Sequence, residues 1–479
     1  MKFNNIKIHK MGSKLGFCLS KFYFPKGCLV EINVTKGFKQ KTFLAKFNGS
    51  VVLRKDTVKF LDLKYLDLVN LEMAEICNLK RTNELFLNDK IDMLFLIPEK
   101  TSKGYEIFVT KFEKDNRDYL RIWYSHERGS GRQIEIRRFV DVETIGRLLG
   151  QYQAEGTKHK NSPNKFHIGF INKLVKEHEE FRNSLLMLGV PKDMFKFHFI
   201  FNPNKIPQKR AEEYIHHFKS IINYPVRIVP SNSKGIGFGV VVRNILFTEI
   251  IINALHTIRN LLAKERGYTV NQQNLGNSFF TKLLTGDGTL DVRYSRRLFP
   301  DLKIKIVDED KNYLYDYQKI MRNLGFNTRV YEDYINVVSS CSFKNLLYLY
   351  RIKAFSNTNN WNKLLVSIEL CLTGRRISTY SRFLDLIKYD SFNCNFIATK
   401  YSVSSQSARE WLINKCKEGL IIKINKSDWA LSDEGKDIAS LLMKWKKDYT
   451  NLINEKRIED PIELLESLKF KKLKSSSKE

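Results

Sequence analysis

LLGQYQAEG at residues 148–156 and FTKLLTGDG at residues 280–288 decide how this chain is read. Both are apolar runs of helical spacing that end on an acid followed by glycine, and the acids Glu155 and Asp287 lie 132 residues apart. Downstream of each, the chain repeats itself: residues 167–190 align without a gap on residues 303–326. Apolar or aromatic positions coincide at Ile168 with Ile304, Phe170 with Ile306, Phe181 with Tyr317, Leu185 with Met321 and Leu188 with Leu324. Gly189 matches Gly325 where each helix should stop. A duplicated unit of strand, helix and further strand is the simplest explanation.

Outward from these units the text changes character. Residues 1–140 are short apolar runs broken by Gly, Asn and Asp, which read as a β-rich domain. The two repeats are expected at 141–270 and 271–358, a mostly helical domain at 359–450, and a basic tail at 451–479 ending in KFKKLKSSSKE. The fold class is therefore α+β. Expected strands in the repeats are 165–172, 194–202, 226–230, 238–242, 302–308 and 328–338.

With 479 residues, the chain is long enough for about three domains. Its 43% hydrophobic content can fill their cores, which excludes wholesale disorder. Lys and Arg total 81 against 52 Asp and Glu, a net charge of +29 that attracts polyanions, nucleic acid first. Seven scattered cysteines without a CxxC pair encode neither a disulfide framework nor a zinc knuckle, which fits a reducing cytosol. No run of about 18 uninterrupted apolar residues suggests a membrane span, and no membrane partner is expected.

The paired nonamers resemble the LAGLIDADG homing endonucleases in their two-motif, single-chain form. The resemblance covers roughly residues 141–355 and implies a duplicated αββαββα core acting as a monomer with an internal pseudo-twofold axis. It implies that the two helices pack side by side and bring Glu155 and Asp287 together as catalytic metal ligands, with Ala154 and Gly286 in the metal-binding set. Hard carboxylate oxygens of that kind suit Mg²⁺, with Mn²⁺ as a substitute. Metal-assisted hydrolysis of both strands of double-stranded DNA would follow. Close helix approach needs small residues, and Gly150, Ala154 and Gly286 supply them at the interface.

The family also lays its sheets across the major groove, which implies nucleic-acid contacts from Lys165, Lys303 and Lys305. Alternation through residues 303–306 puts these lysines on one strand face and isoleucines on the other. Lys353, after the last helix of the second repeat, falls where the family carries a catalytic lysine. Two departures stand out: Lys282 occupies the place of the first motif glycine, and Thr285 that of an acid. An acid before glycine is also a common way for a helix to end.

Three further stretches bear on nucleic acid. In RGSGR at 128–132, Arg128 and Arg132 could contact phosphate or serve only a basic turn. Residues 395–401 and 404–417 read as two short helices, followed by the strands LIIKI and WAL; this is the order of a winged helix-turn-helix, with Ser405, Gln406 and Arg409 near the start of its recognition helix. Within the front end, residues 12–34 and 49–73 share the order glycine turn, strand, basic residue, short helix-like segment, strand, which is similar to the swapped-hairpin DNA-binding domains of the AbrB class. His216 and His217 are adjacent and make a poor metal pair.

The expected function is a free-standing, site-specific, Mg²⁺-dependent DNA endonuclease in the cytoplasm, associated with the nucleoid. Two alternatives remain open: a DNA-binding transcription regulator that kept the fold and lost catalysis, and a maturase that binds structured RNA.

Overall fold

The computed structural model describes residues 1–19, 23–124, 132–156, 167–222, 224–230, 236–264, 267–295, 298–308, 310–332, 336–356, 358–373 and 378–469. They are α+β and divide into two units, Met1–Leu262 with Tyr268–Phe279, and Ala263–Gly267 with Phe280–Glu479.

The first unit opens with β1 (Lys2–Lys7), β2 (His9–Met11), β3 (Lys14–Cys18), β4 (Leu29–Lys36), β5 (Lys39–Lys46), β6 (Ser50–Val52), α1 (Lys55–Leu61) and β7 (Leu68–Glu75). They form two sheets, β1-β7-β4-β5 and β2-β3-β6. Val69, Leu71 and Met73 of β7 are buried while the residues between them are exposed, the period of two that a one-sided strand requires. The two similar segments pair like with like: Phe17 of β3 opposes Val51 of β6, and Ile32 of β4 opposes Met73 of β7. Their side chains share one core with Phe43, Phe47 and Leu61. α1 occupies the second segment, but residues 23–28 of the first form bends and turns, because Pro25 lacks an amide N–H and Gly27 sits at φ 84.

β8 (Phe86–Leu87), β9 (Lys90–Asp92), α2 (Met93–Leu96), β10 (Ile107–Lys114), β11 (Arg117–Tyr124), β12 (Arg132–Arg137) and β13 (Phe139–Asp141) follow. β10-β11-β12 is an antiparallel meander, and β13-β9-β8 a small second sheet. Trp123 of the meander packs with Leu29 of β4 and Leu44 of β5 in a second, smaller cluster.

Next come α3 (Val142–Glu155), β14 (Ile168–Asn172), α4 (Val175–Met187), β15 (Phe195–Phe201), α5 (Gln208–Ile222), β16 (Val226–Pro230), β17 (Gly237–Val242) and α6 (Ile245–Leu262). The sheet order is β14-β17-β15-β16. β15 and β16 are parallel, so α5 serves as their crossover, while the other pairs are antiparallel. α6 is long and apolar enough to cross a bilayer by length and composition alone. It buries Phe247, Ile250, Ile251, Ala254 and Ile258 inside the protein.

α7 (Val270–Asp287) begins in the first unit and ends in the second. The second unit continues with β18 (Gly288–Ser295), β19 (Leu298–Val307), α8 (Lys311–Asn323), β20 (Asn327–Tyr331), β21 (Asn336–Ser340) and α9 (Phe343–Arg351). Its sheet runs β18-β19-β21-β20. The order β19-β21-β20 is that of β14-β17-β15 in the first unit, where α5 and β16 enter between the second and third members of the chain order. The expected single strand 328–338 is instead the antiparallel pair β20 and β21, with Tyr331 opposite Asn336. β20 ends at Tyr331, and Glu332 is in a turn.

The remainder is α10 (Asn359–Thr373), α11 (Arg382–Leu386), β22 (Phe392–Asn393), α12 (Cys394–Lys400), α13 (Ser405–Lys417), β23 (Ile421–Lys423), β24 (Asp428–Leu431), α14 (Asp433–Lys456) and α15 (Pro461–Lys469). Asn393, Ser404 and Ser432 cap α12, α13 and α14 through their side chains, and Gly419 at φ 77 ends α13. β22, β24 and β23 form a three-stranded sheet around this pair of short helices. Residues 451–469, assigned by charge to a tail, are the end of α14 and α15. Leu464, Leu465 and Leu468 are buried, and Asn359 donates to the Leu468 carbonyl at 2.7 Å. The last ten residues lie outside the described residues.

Candidate functional site

α3 packs through a face of small residues. A Cβ placed on Gly146 would lie 2.8 Å from the Ser278 Cβ and 2.9 Å from the Leu275 carbonyl oxygen, so α3 meets the first half of α7 at backbone contact. Both sides of this contact belong to the first unit. Gly146 and Ser278 are separated by the same 132 residues as Glu155 and Asp287. Sequence reasoning named Gly150 and Ala154 for this role and missed Gly146. The signal was present, because the same four-residue step runs back from Gly150.

Each acid is the last residue of its helix. Glu155 closes α3, and the Gly156 amide donates to the Tyr152 carbonyl at 2.9 Å. Asp287 closes α7 and Gly288 opens β18. The glycines are needed for space and not for a left-handed backbone. Gly156 has φ −70, yet a Cβ there would stand 2.1 Å from the Tyr152 carbonyl oxygen; one on Gly288 would stand 2.5 Å from that of Leu284. In both cases the obstruction is the residue four before, because the chain folds back over the last helical turn. The exits match further: Gly156 bridges Phe170, and Gly288 pairs with Ile306. Phe170 and Ile306 are the residues that coincide in the internal alignment.

A carboxylate at a helix C-terminus sits against the negative end of the dipole, at a cost of about 0.3–1 kcal/mol, and the last carbonyls have no helical N–H to accept. A hard cation compensates both. Among the described residues no group of three His, Cys, Asp or Glu could hold a metal ion. The donor set here is thus one carboxylate and terminal main-chain oxygens at each helix end, with Glu155 and Asp287 half-buried, Ala154 buried and Gly286 half-buried. That fits Mg²⁺, which takes one or two protein carboxylates and keeps several waters.

Neighbouring side chains hold the helix ends still. Gln151 is buried and donates to the Glu177 carboxylate at 2.9 Å and to the Glu177 carbonyl at 3.2 Å. Burial pushes the Tyr152 hydroxyl up to about 12, so it stays protonated at neutral pH. In the second unit, Thr281 of α7 donates to the Ile352 carbonyl at 3.1 Å. This fastens to α7 the turn that carries Lys353, an exposed residue at φ 55. Lys282 is buried, at 4% exposure.

The other expected residues are distributed as follows. Ile304 and Ile306 are fully buried with Lys303 and Lys305 between them, half-buried on the opposite face. Neither lysine is a bare cation: Lys303 pairs with Asp301 at 3.1 Å, and Lys305 pairs with Asp291 of β18. Lys165 and Arg128 lie outside the described residues; Arg132 opens β12, and its side chain lies outside them as well. On α13, Ser405, Gln406 and Arg409 are exposed while Trp411 and Leu412 are buried. His216 and His217 are exposed on α5.

No family model matches the chain, and no curated protein matches it. Among solved structures it is similar to mesophilic variants of the homing endonuclease I-DmoI, with 12% identity and a TM-score of 0.24 over 45% of this chain and 97% of that one. An I-DmoI variant in complex with its target DNA in the presence of magnesium gives 14% identity and a TM-score of 0.23, over 45% and 98%. A mutant of I-SmaMI gives 9% identity and a TM-score of 0.26, over 48% and 91%. Less than half of this chain therefore spans nearly all of each neighbour.

Proposed function

We propose that the chain is a site-specific DNA endonuclease of the LAGLIDADG homing type, with residues 141–358 as a duplicated αββαββα core. In the first repeat α5 and β16 are an insertion. The matched helix ends support this assignment best: Glu155–Gly156 against Phe170 repeats as Asp287–Gly288 against Ile306. The Gly146–Ser278 contact adds a crossing at the same internal offset.

Bound Mg²⁺ would activate water and stabilise the leaving oxygen in phosphodiester hydrolysis. Glu155 and Asp287 would hold it, aided by the oxygens of Ala154 and Gly286. Gly156 and Gly288 keep each acid at the end of its helix turn. Gln151, bonded to Glu177, keeps the α3 end in register with α4. Lys353 would neutralise phosphate charge. The β22–β24 segment would act as a winged helix-turn-helix, with Ser405, Gln406 and Arg409 facing DNA. This second module would raise affinity through effective concentration.

The test is cleavage of a plasmid library carrying the gene's own flanking sequence, with Mg²⁺ or Mn²⁺. Glu155→Gln and Asp287→Asn should each abolish cutting and retain binding, since each removes a metal-binding charge with little change in bulk. Wild-type protein that cuts nothing would remove the main support. A regulator without catalysis is the second reading, favoured by the buried Lys282 where the family has glycine. DNA binding that ignores divalent metal would favour it.

A further inference from the structure

β4 and β5 form a hairpin closed by the two residues Gly37 and Phe38, between the paired Lys36 and Lys39. Gly37 has φ 58, the positive value that the first central position of a type II′ turn requires. Phe38 follows at 109% relative exposure, the most open large apolar side chain among the described residues. Such a ring gains nothing in the protein by itself, and water opposes its exposure.

The tip stands on a fixed base. Lys36 Nζ donates to the Asp67 carboxylate at 2.7 Å and to the Asp62 carbonyl at 2.7 Å, tying the end of β4 to the α1–β7 connection. Cations and further open aromatics surround it. Lys39 is exposed beside the turn, and Lys41 lies 5.5 Å over the ring of Phe60, itself 50% exposed. Lys59 and Lys64 are exposed on α1 and the following loop, and Lys10 lies 5.5 Å over the Tyr65 ring.

We propose that this hairpin is a DNA wedge, inserting Phe38 between two base pairs from the minor groove while Lys39 and Lys41 meet the flanking phosphates. Apolar wedges of this kind unstack one step and kink the duplex. A bilayer fits the tip less well, because Phe38 is the one apolar side chain of the turn, between Gly37, Lys39 and Gln40, and the Phe60 and Tyr65 rings each carry a lysine over them. A base step offers that ring two flat faces, and the lysines find phosphates at backbone spacing.

The experiment uses the full chain in EDTA, so no divalent ion is engaged and the outcome is independent of Glu155 and Asp287. Binding to a fluorescein-labelled, mixed-sequence duplex is followed by anisotropy against salt, and unwinding by relaxing a closed plasmid with a metal-independent topoisomerase. Phe38→Ala should weaken binding roughly tenfold without changing the salt slope, and should lose the unwinding. Phe38→Trp should retain both, and Lys39→Gln should lower the salt slope by about one. Phe38→Ala that binds and unwinds like wild type overturns the proposal. So does wild-type protein that does not unwind, or a variant that loses only its affinity for phosphatidylglycerol vesicles, which would assign the tip to a membrane.

Discussion

Gly146 of α3 and Ser278 of α7 meet so closely that no side chain could be added to the glycine: its Cβ would lie 2.8 Å from that of the serine. The backbone is part of the obstruction, since the Leu275 carbonyl oxygen would be 2.9 Å away. Gly146→Leu should therefore destabilise the protein by about 1–3 kcal/mol through overpacking. A lowered urea midpoint with unchanged slope is the expected result; an unchanged midpoint would mean that the helices are free to separate there.

The glycines after the two acids should be intolerant in parallel. Gly156→Ala and Gly288→Ala each force a methyl group against a carbonyl oxygen one turn back. Each should cost about 1–3 kcal/mol or displace the acid before it. Thermal melts read the first effect, and loss of cleavage in a protein that still melts normally reads the second.

His178 should give the protein a sensitivity to mild acid. Its ring packs edge-on against Phe170, Phe218 and Phe238, with Nε2 3.0 Å from the Asn172 carbonyl oxygen. Burial holds its pKa down at about 4, from the ordinary 6.5. The folded protein keeps the ring neutral, so below about pH 6.5 the unfolded chain binds a proton that the folded one does not. Stability is whole above that pH and falls as the pH drops toward about 4. The loss is about 1.4 kcal/mol per pH unit. Urea midpoints at about pH 7 and pH 5 should diverge in wild type and converge in His178→Gln.

Arg409 lies exposed on α13, one turn after Ser405. Arg409→Ala should weaken duplex binding and, where the contact is to phosphate, reduce the salt slope by about one. Trp411 and Leu412 are buried in the same helix, so their replacement should lower stability first and binding only as a consequence.

Local patterns were legible in the sequence. The alternation through Lys303, Ile304, Lys305 and Ile306 needed only the period of a strand, and the helix ends at Glu155 and Asp287 announced themselves by the glycines that follow. What escaped was non-local. Asp291, the partner of Lys305, lies on β18, and the alternation of TLDVRYS marks a strand without saying which strand it pairs with. Gly146 continues the four-residue step of Gly150 and Ala154, but that step does not name Ser278 as the residue it meets. Residues 23–28 of the first segment turn at Pro25 and Gly27, whereas the equivalent part of 49–73 forms α1. Whether a basic residue is bare or already paired depends on neighbours far along the chain.

α5 and β16, an insertion under the proposed duplication, leave the strands on either side in register. β15 and β17 keep continuous antiparallel register from Phe195 opposite Val242 to Ile200 opposite Gly237, as though only a tight turn lay between them. The added crossover is a passenger on that hairpin, and the protein could be trimmed there with a short glycine-containing link. Under the proposed duplication, each half could then lengthen on its own and acquire new surface without altering the strands that carry it.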